Sequence, residues 1–173
     1  SLLSVQATDI TEMIHYGPVR VDLPLLTDSL DVKGKPFKTN MLLETTFSPP
    51  VPEYEWPVIT ADTAGFFPVP PSSSGFEIHQ FGFTLLPDRY ARLKLKITSP
   101  ECFTVYVNGK KEGSKTTVSD TAATIAPSEF TWTAEPRAYR VKIKYLASPG
   151  QKTASDLTVR VESASSDSSV YIS

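Results

Sequence analysis

The side chains able to do chemistry are few and widely spaced. His15, in Met-Ile-His-Tyr-Gly, and His79, in Glu-Ile-His-Gln-Phe, are the only histidines, and no Gly-x-Ser-x-Gly elbow accompanies either of them. A polar ring beside the tight turn Tyr16-Gly17-Pro18 has backbone to bond, and both histidines are read as surface or capping groups. Glu53 and Glu55 flank the approach to Trp56, and paired carboxylates can hydrolyse glycosides. They lie in a proline-rich stretch that cannot fix a spacing of a few ångströms, so they are read as solvated loop charges. His-x-x-x-His, a cysteine pair and an Asp-x-Asp-x-Asp-Gly loop are all absent from the sequence. Asp9, Asp62 and Asp156 are the carboxylates that could hold calcium at strand ends, with nothing else pointing to it. The expectation is no catalytic residue, no metal and no cofactor.

Aromatic residues offer a different chemistry. Tyr54, Trp56, Phe66 and Phe67 crowd one segment, and exposed rings of this kind stack against the apolar face of a pyranose. They are the candidate ligand-binding residues, although long loops also anchor themselves with buried rings. Trp132 alternates with Phe130 and is read as core. Arg92, Lys94 and Lys96 share one face of a strand, as do Arg140, Lys142 and Lys144. If those strands lie in one sheet their outer face is basic, fit either for solvent or for an acidic neighbouring domain.

The elements that must position these groups are strands. Residues 90–97 alternate strictly, with Ala91, Leu93, Leu95 and Ile97 on one face and the three cations on the other. Residues 103–107 do the same and run into Asn108-Gly109, the dipeptide that best supports a type I′ hairpin. Residues 139–145 and 157–161 alternate, and Phe130–Thr133 is a shorter strand. Residues 76–85 place Phe76 and Ile78 opposite Phe81, Phe83 and Leu85, for which a bulge near His79-Gln80 is expected. Leu2–Gln6, Val19–Leu23 and Met41–Thr46 read as further strands, and Ile10–Tyr16 as one helical turn capped by Asp9 or Thr8. Phe47 to Gly75 holds nine prolines or glycines and reads as a long loop. Within it Trp56–Asp62 is a possible short strand and Pro68–Gly75 a flexible surface loop.

The composition agrees with this picture. A chain of 173 residues with 40% hydrophobic and 10% aromatic content can bury one core. Fifteen prolines against eight glycines work against long helices. The net charge of −2 makes no case for nucleic acid, and no apolar run near ~18 residues argues for membrane insertion. Cys102 excludes an internal disulfide and reads as a half-buried small hydrophobe. The fold class expected is all-β, a two-sheet antiparallel β-sandwich of jelly-roll type with a long proline-rich loop. Residues 1–162 form the single domain, and 163–173 a Ser-rich linker or the start of a following module. A chain that opens on Ser1 without a signal peptide reads as one domain of a longer protein.

The run Tyr90-Ala-Arg-Leu-Lys-Leu-Lys-Ile-Thr-Ser-Pro-Glu-Cys-Phe-Thr-Val-Tyr-Val-Asn-Gly-Lys-Lys111 resembles the strand–turn–strand core of two related groups. One is the jelly-roll, galactose-binding-like accessory domains of bacterial glycosidases, and the other the anthrax protective-antigen-type domain. The resemblance covers roughly residues 76 to 162. In sugar-binding members of the second group, paired aspartates in the turn before the hairpin hold calcium. Here that turn is Ser99-Pro-Glu-Cys102, so the resemblance implies the fold without that site. The stretch Tyr54 to Gly65 is similar to N-terminal sandwich domains of large exported Bacteroidetes-type enzymes, which implies a periplasmic, cell-surface or secreted location. Together these imply a non-catalytic accessory or interaction domain whose partner is a neighbouring catalytic module of the same polypeptide. The alternative is a carbohydrate-binding module that takes a polysaccharide or glycan on the loop aromatics.

Overall fold

The computed structural model describes residues 2–4, 7–21, 49–69, 72, 75–115, 126–147, 155–163 and 169–173. They form thirteen strands and one short 3-10 turn, Glu53–Glu55. The strands are β1 (Leu2–Ser4), β2 (Ala7–Asp9), β3 (Glu12–Val21), β4 (Val58–Thr60), β5 (Phe67–Val69), β6 (Phe76–Pro87) and β7 (Ala91–Thr98). The chain continues through β8 (Cys102–Val107), β9 (Lys110–Lys115), β10 (Ser128–Ala134), β11 (Tyr139–Ala147), β12 (Ser155–Ser163) and β13 (Ser169–Ile172).

Two antiparallel sheets face each other. The larger, of eight strands, runs β1-β13-β6-β11-β8-β9, with β3 and β4 attached alongside β6. The smaller, of five, runs β10-β7-β12-β2, with β5 paired to β12. From β6 onward the chain passes repeatedly between the sheets, returning for β7, β10 and β12 to the smaller one. This crossing is what gives a jelly roll, and the expected all-β, two-sheet antiparallel sandwich is the observed one.

Strand alternation builds the core. On β11, Val141 stands between Phe83 and Val107, and Ile143 between Phe81 and Val105. On β7, Leu95 faces Val161 of β12 on one side and Phe130 of β10 on the other. Phe81, Phe83, Leu93, Leu95, Val105, Val141, Ile143 and Val161 are all buried in one cluster. Each such residue contributes about 1.5–3 kcal/mol by leaving water.

Several expectations need correction. Ile10–Tyr16 is not a helical turn. Ile10 N donates to Val159 O at 2.8 Å, and from Glu12 the chain runs as β3. Asp9 does not cap it, because its carboxylate meets Arg160 at 3.4 Å. The irregularity expected at His79-Gln80 lies instead in the neighbouring strand. The register of β6 with β11 is unbroken from Glu77 to Leu85, whereas β3 slips between Tyr16 and Val19, at Gly17-Pro18. Phe76 and Ile78 oppose Phe81 and Phe83 simply because the strand is regular. Ile78, Leu146 and Cys102 then form a buried row on the outer face of the larger sheet, and Cys102 is fully rather than half buried.

The proline-rich segment is not one loop. Val58–Thr60 pairs with β3 inside the stretch expected as a short strand, and Pro68 and Val69 belong to β5, with Val69 buried. Residues 163–173 include β13, which is hydrogen-bonded to both β1 and β6 and places Val170 in the core. That strand belongs to the sandwich because its apolar residue completes the larger sheet. Leu2–Gln6 is met by β1 and Val19–Leu23 by the end of β3, while Met41–Thr46 lies outside the described residues.

Candidate ligand-binding cleft

The four candidate ligand-binding residues do not form one surface. Trp56 is 5% exposed and Phe67 is fully buried. Trp56 donates its indole N–H to Val51 O at 2.9 Å and packs on Tyr16, with ring centroids 5.5 Å apart. Phe67 sits in β5 with its ring in the core cluster. Neither leaves a ring face for a sugar. Both act as anchors, because a segment with this much apolar area is held down only by burying it. Tyr54 is 86% exposed and Phe66 37%.

The anchored segment crosses the outer face of the larger sheet. Glu53 reaches Lys142 at 2.6 Å, and Pro57 O accepts from His15 N at 2.8 Å. The two basic rows lie in different sheets, so no common basic face exists. Lys142 is taken up by Glu53, and Lys144 is largely buried, which pushes its pKa down by desolvation. On the smaller sheet Lys94 and Lys96 pair with Glu129, and Lys96 also with Glu162 at 3.1 Å. That row is an internally compensated solvated face.

The histidines are not surface groups. His15 and His79 stack with centroids 5.2 Å apart, and both stack in turn on Phe81. His79 is 1% exposed, and burial, aided by the charge of a protonated His15, depresses its pKa to about 4. Burial lowers His15 as well. Neither stands beside a serine or threonine nucleophile in any hydrogen bond described. Asp62, a calcium candidate, accepts from Ala64 N and Phe66 N and so closes its own turn. Among the described residues no three His, Cys, Asp or Glu side chains gather as a metal site. The side chain of Asp156 lies outside what is described.

The hairpin turn leads to a better site. Asn108 and Gly109 take positive φ of 51° and 80°, as a type I′ turn requires. The turn is docked onto β11 by two bonds: Asn108 N to Arg140 O at 2.9 Å and Arg140 N to Asn108 Oδ1 at 2.8 Å. Opposite it, Glu135 N donates to the Tyr139 hydroxyl at 2.7 Å, and the Arg137 guanidinium lies 5.1 Å over the Tyr139 ring. Arg137 also pairs with Glu135 at 3.2 Å. Between these walls is a cleft of about 280 Å³.

Its lining combines rings with hydrogen-bonding groups. Trp132 leans on Tyr139, with centroids 5.9 Å apart and a 56° tilt. Asn108, Lys110, Glu112, Glu135 and Arg137 supply donors and acceptors around them. Trp132 was read as core from its alternation with Phe130. The phase is right, since β10 turns both residues inward, but Trp132 is only half-buried because it lies at the open end of the sandwich. The readable signal was the spacing of Trp132, Glu135, Arg137 and Tyr139 around Pro136, a turn that gathers a ring, an acid and a base.

No family model matches this sequence, and no curated protein is similar to it. Solved structures do resemble it in fold. A β-glucosidase from Kluyveromyces marxianus superposes with a TM-score of 0.50 at 11% identity, over 90% of this chain and 17% of that one. The chain therefore spans about a sixth of that enzyme, and the likeness is one of fold alone. A PA14 sugar-binding domain from an RTX adhesin gives a TM-score of 0.35 at 20% identity, covering 90% of this chain and 68% of that one. A family 35 carbohydrate binding module from Clostridium thermocellum gives 0.37 at 10%, covering 75% and 97%. These last two are too distant to bear on function.

Proposed function

We propose that this domain is a non-catalytic carbohydrate-binding module whose site is the cleft beside the Asn108-Gly109 turn. The observation that carries the reading is the half-buried Trp132 ring, backed by Tyr139 and surrounded by Asn108, Glu112, Glu135 and Arg137. A sugar presents an apolar ring face and an equatorial rim of hydroxyls. It needs a flat apolar wall with donors and acceptors at its edge, and that is this arrangement. A glycosidase would need one carboxyl shielded from water so that it stays protonated, and Glu112 and Glu135 both stand in solvent.

The test is affinity electrophoresis and calorimetry of the whole chain against a panel of neutral polysaccharides. Binding to at least one, lost in Trp132→Ala and kept in Tyr54→Ala, is the expected result. Loss in Tyr54→Ala alone would move the site to the loop, and no binding by the native chain would end the reading.

A second reading keeps the domain as an accessory to a catalytic module of the same polypeptide. Exposed Tyr54 and Phe66 favour it, since they are apolar rings left in water on the segments that wrap the sandwich. Co-purification with the flanking module, abolished by Tyr54→Ser with Phe66→Ser, tests it.

A further inference from the structure

A second hollow lies on the outer face of the larger sheet, away from the hairpin turn. Its floor is Gly82, in the middle of β6, with Ile14 of β3 on one side and Lys142 of β11 on the other. Above this bare floor is a cleft of about 190 Å³, walled by Met13, Ile14, Val58 and Ser173. Met13 is buried, whereas Val58 is 60% exposed beside the hollow.

Arg140 closes this hollow. Its side chain runs diagonally over the sheet, Nη1 donating to Thr84 Oγ1 at 3.0 Å. Nη2 hangs over the floor, 3.0 Å from where a Cβ on Gly82 would stand. Arg140 is half-buried, and no carboxylate among the described residues is shown paired with it. A guanidinium has five N–H donors in a rigid fork, and Thr84 occupies one of them. Nη2 is the nitrogen over the cleft, and a bond from a guanidinium to an anion is charge-assisted and stronger than a neutral one. Glu12 stands exposed on the rim.

We propose that this hollow is a binding site for a small organic monocarboxylate with a flat apolar body. The carboxylate takes the free edge of the Arg140 fork side-on, and the body lies over Gly82 against Ile14 and Val58. Glu12 repels a second anionic group, so dicarboxylates are disfavoured. The two sites share β11 and the Arg140 main chain, which holds Asn108, but this site uses the Arg140 side chain, which the glycan cleft does not, and neither proposal depends on the other.

Benzoate is the probe, titrated into the isotope-labelled full chain and followed by backbone amide and Arg140 side-chain NMR. The expected result is saturable shifts centred on Gly82, Ile14 and Arg140. Benzyl alcohol and terephthalate, the neutral and doubly charged counterparts, should each bind roughly tenfold more weakly or worse. Arg140→Gln should weaken benzoate by a similar factor. Gly82→Ala keeps the charge but sets a methyl 3.0 Å from Nη2, on the floor where the apolar body would lie, and in a chain whose spectrum shows it folded it should abolish the shifts. Benzoate shifts that are absent, centred elsewhere, matched by benzyl alcohol, or retained in folded Gly82→Ala would each overturn the proposal. Sugar plays no part in the assay, so its failure leaves the glycan reading standing.

Discussion

Nε2 of His15 lies 2.9 Å from Nδ1 of His79, and Nε2 of His79 is buried without a partner among the described residues. A hydrogen bond between two imidazoles needs one nitrogen with a proton and one without. The arrangement that costs least leaves a bare acceptor, not an N–H, at the orphaned position: His79 donates from Nδ1 and His15 accepts. Both rings are then neutral and stacked with Phe81, and His79 is edged by Tyr145.

This pair makes stability depend on pH. The folded-state pKa of His79, about 4, is below its ordinary 6.5, so the unfolded chain binds the proton more readily. The neutral form's contribution is therefore complete above pH 6.5 and is lost as pH falls from there towards 4. The full difference is about 3 kcal/mol, from about 1.4 kcal/mol per pKa unit. Urea unfolding at pH 7.5, 5.5 and 4 should show the decline, and His79→Gln should flatten it. An identical decline in the variant would assign it to other groups.

Trp56 and Tyr54 are two residues apart and should behave oppositely. Trp56→Ala removes a buried ring and its bond to Val51, for a loss of about 3 kcal/mol or more. Tyr54→Ala, at an 86% exposed position, should leave the unfolding midpoint unchanged. Equal effects would mean the segment is not held as described.

Two glycines separate backbone from side-chain obstruction. A Cβ on Gly17, at φ +128°, would lie 2.7 Å from Ile78 O, a main-chain atom in the centre of a sheet. On Gly113 it would lie 2.6 Å from Phe130 Cε1, the end of a ring that can turn aside. Gly17→Ala should cost roughly 2–4 kcal/mol, combining strain and overpacking, and Gly113→Ala roughly 1–2. Thermal midpoints of the two variants in the reverse order would contradict this packing.

How far the sequence could be read follows from what each signal measures. Alternation in Ala91–Ile97, Phe103–Val107 and Tyr139–Tyr145 reports one buried face, and those strands are where the pattern put them. The first part of β3 reads as helix because Thr8-Asp9 resembles a helix cap, and only pairing with β6 and β4 settles the contest in favour of a strand. Trp56 and Phe67 look like Tyr54 and Phe66 in a proline-rich string. What separates them is whether another part of the chain comes to cover the ring, which no local pattern records. The two cleft walls suffer the same limit: Asn108 and Arg137 are distant in sequence and meet through β8 and β11.

Strand β1 is bonded edge to edge with β13, Leu3 opposite Val170. The way into this sandwich and the way out are therefore separated by about one strand spacing, near 4.8 Å. A host protein could open one of its own hairpin turns and take the domain in without moving the two cut ends apart. The same adjacency means that, during synthesis, the larger sheet stays unfinished until its final residues emerge.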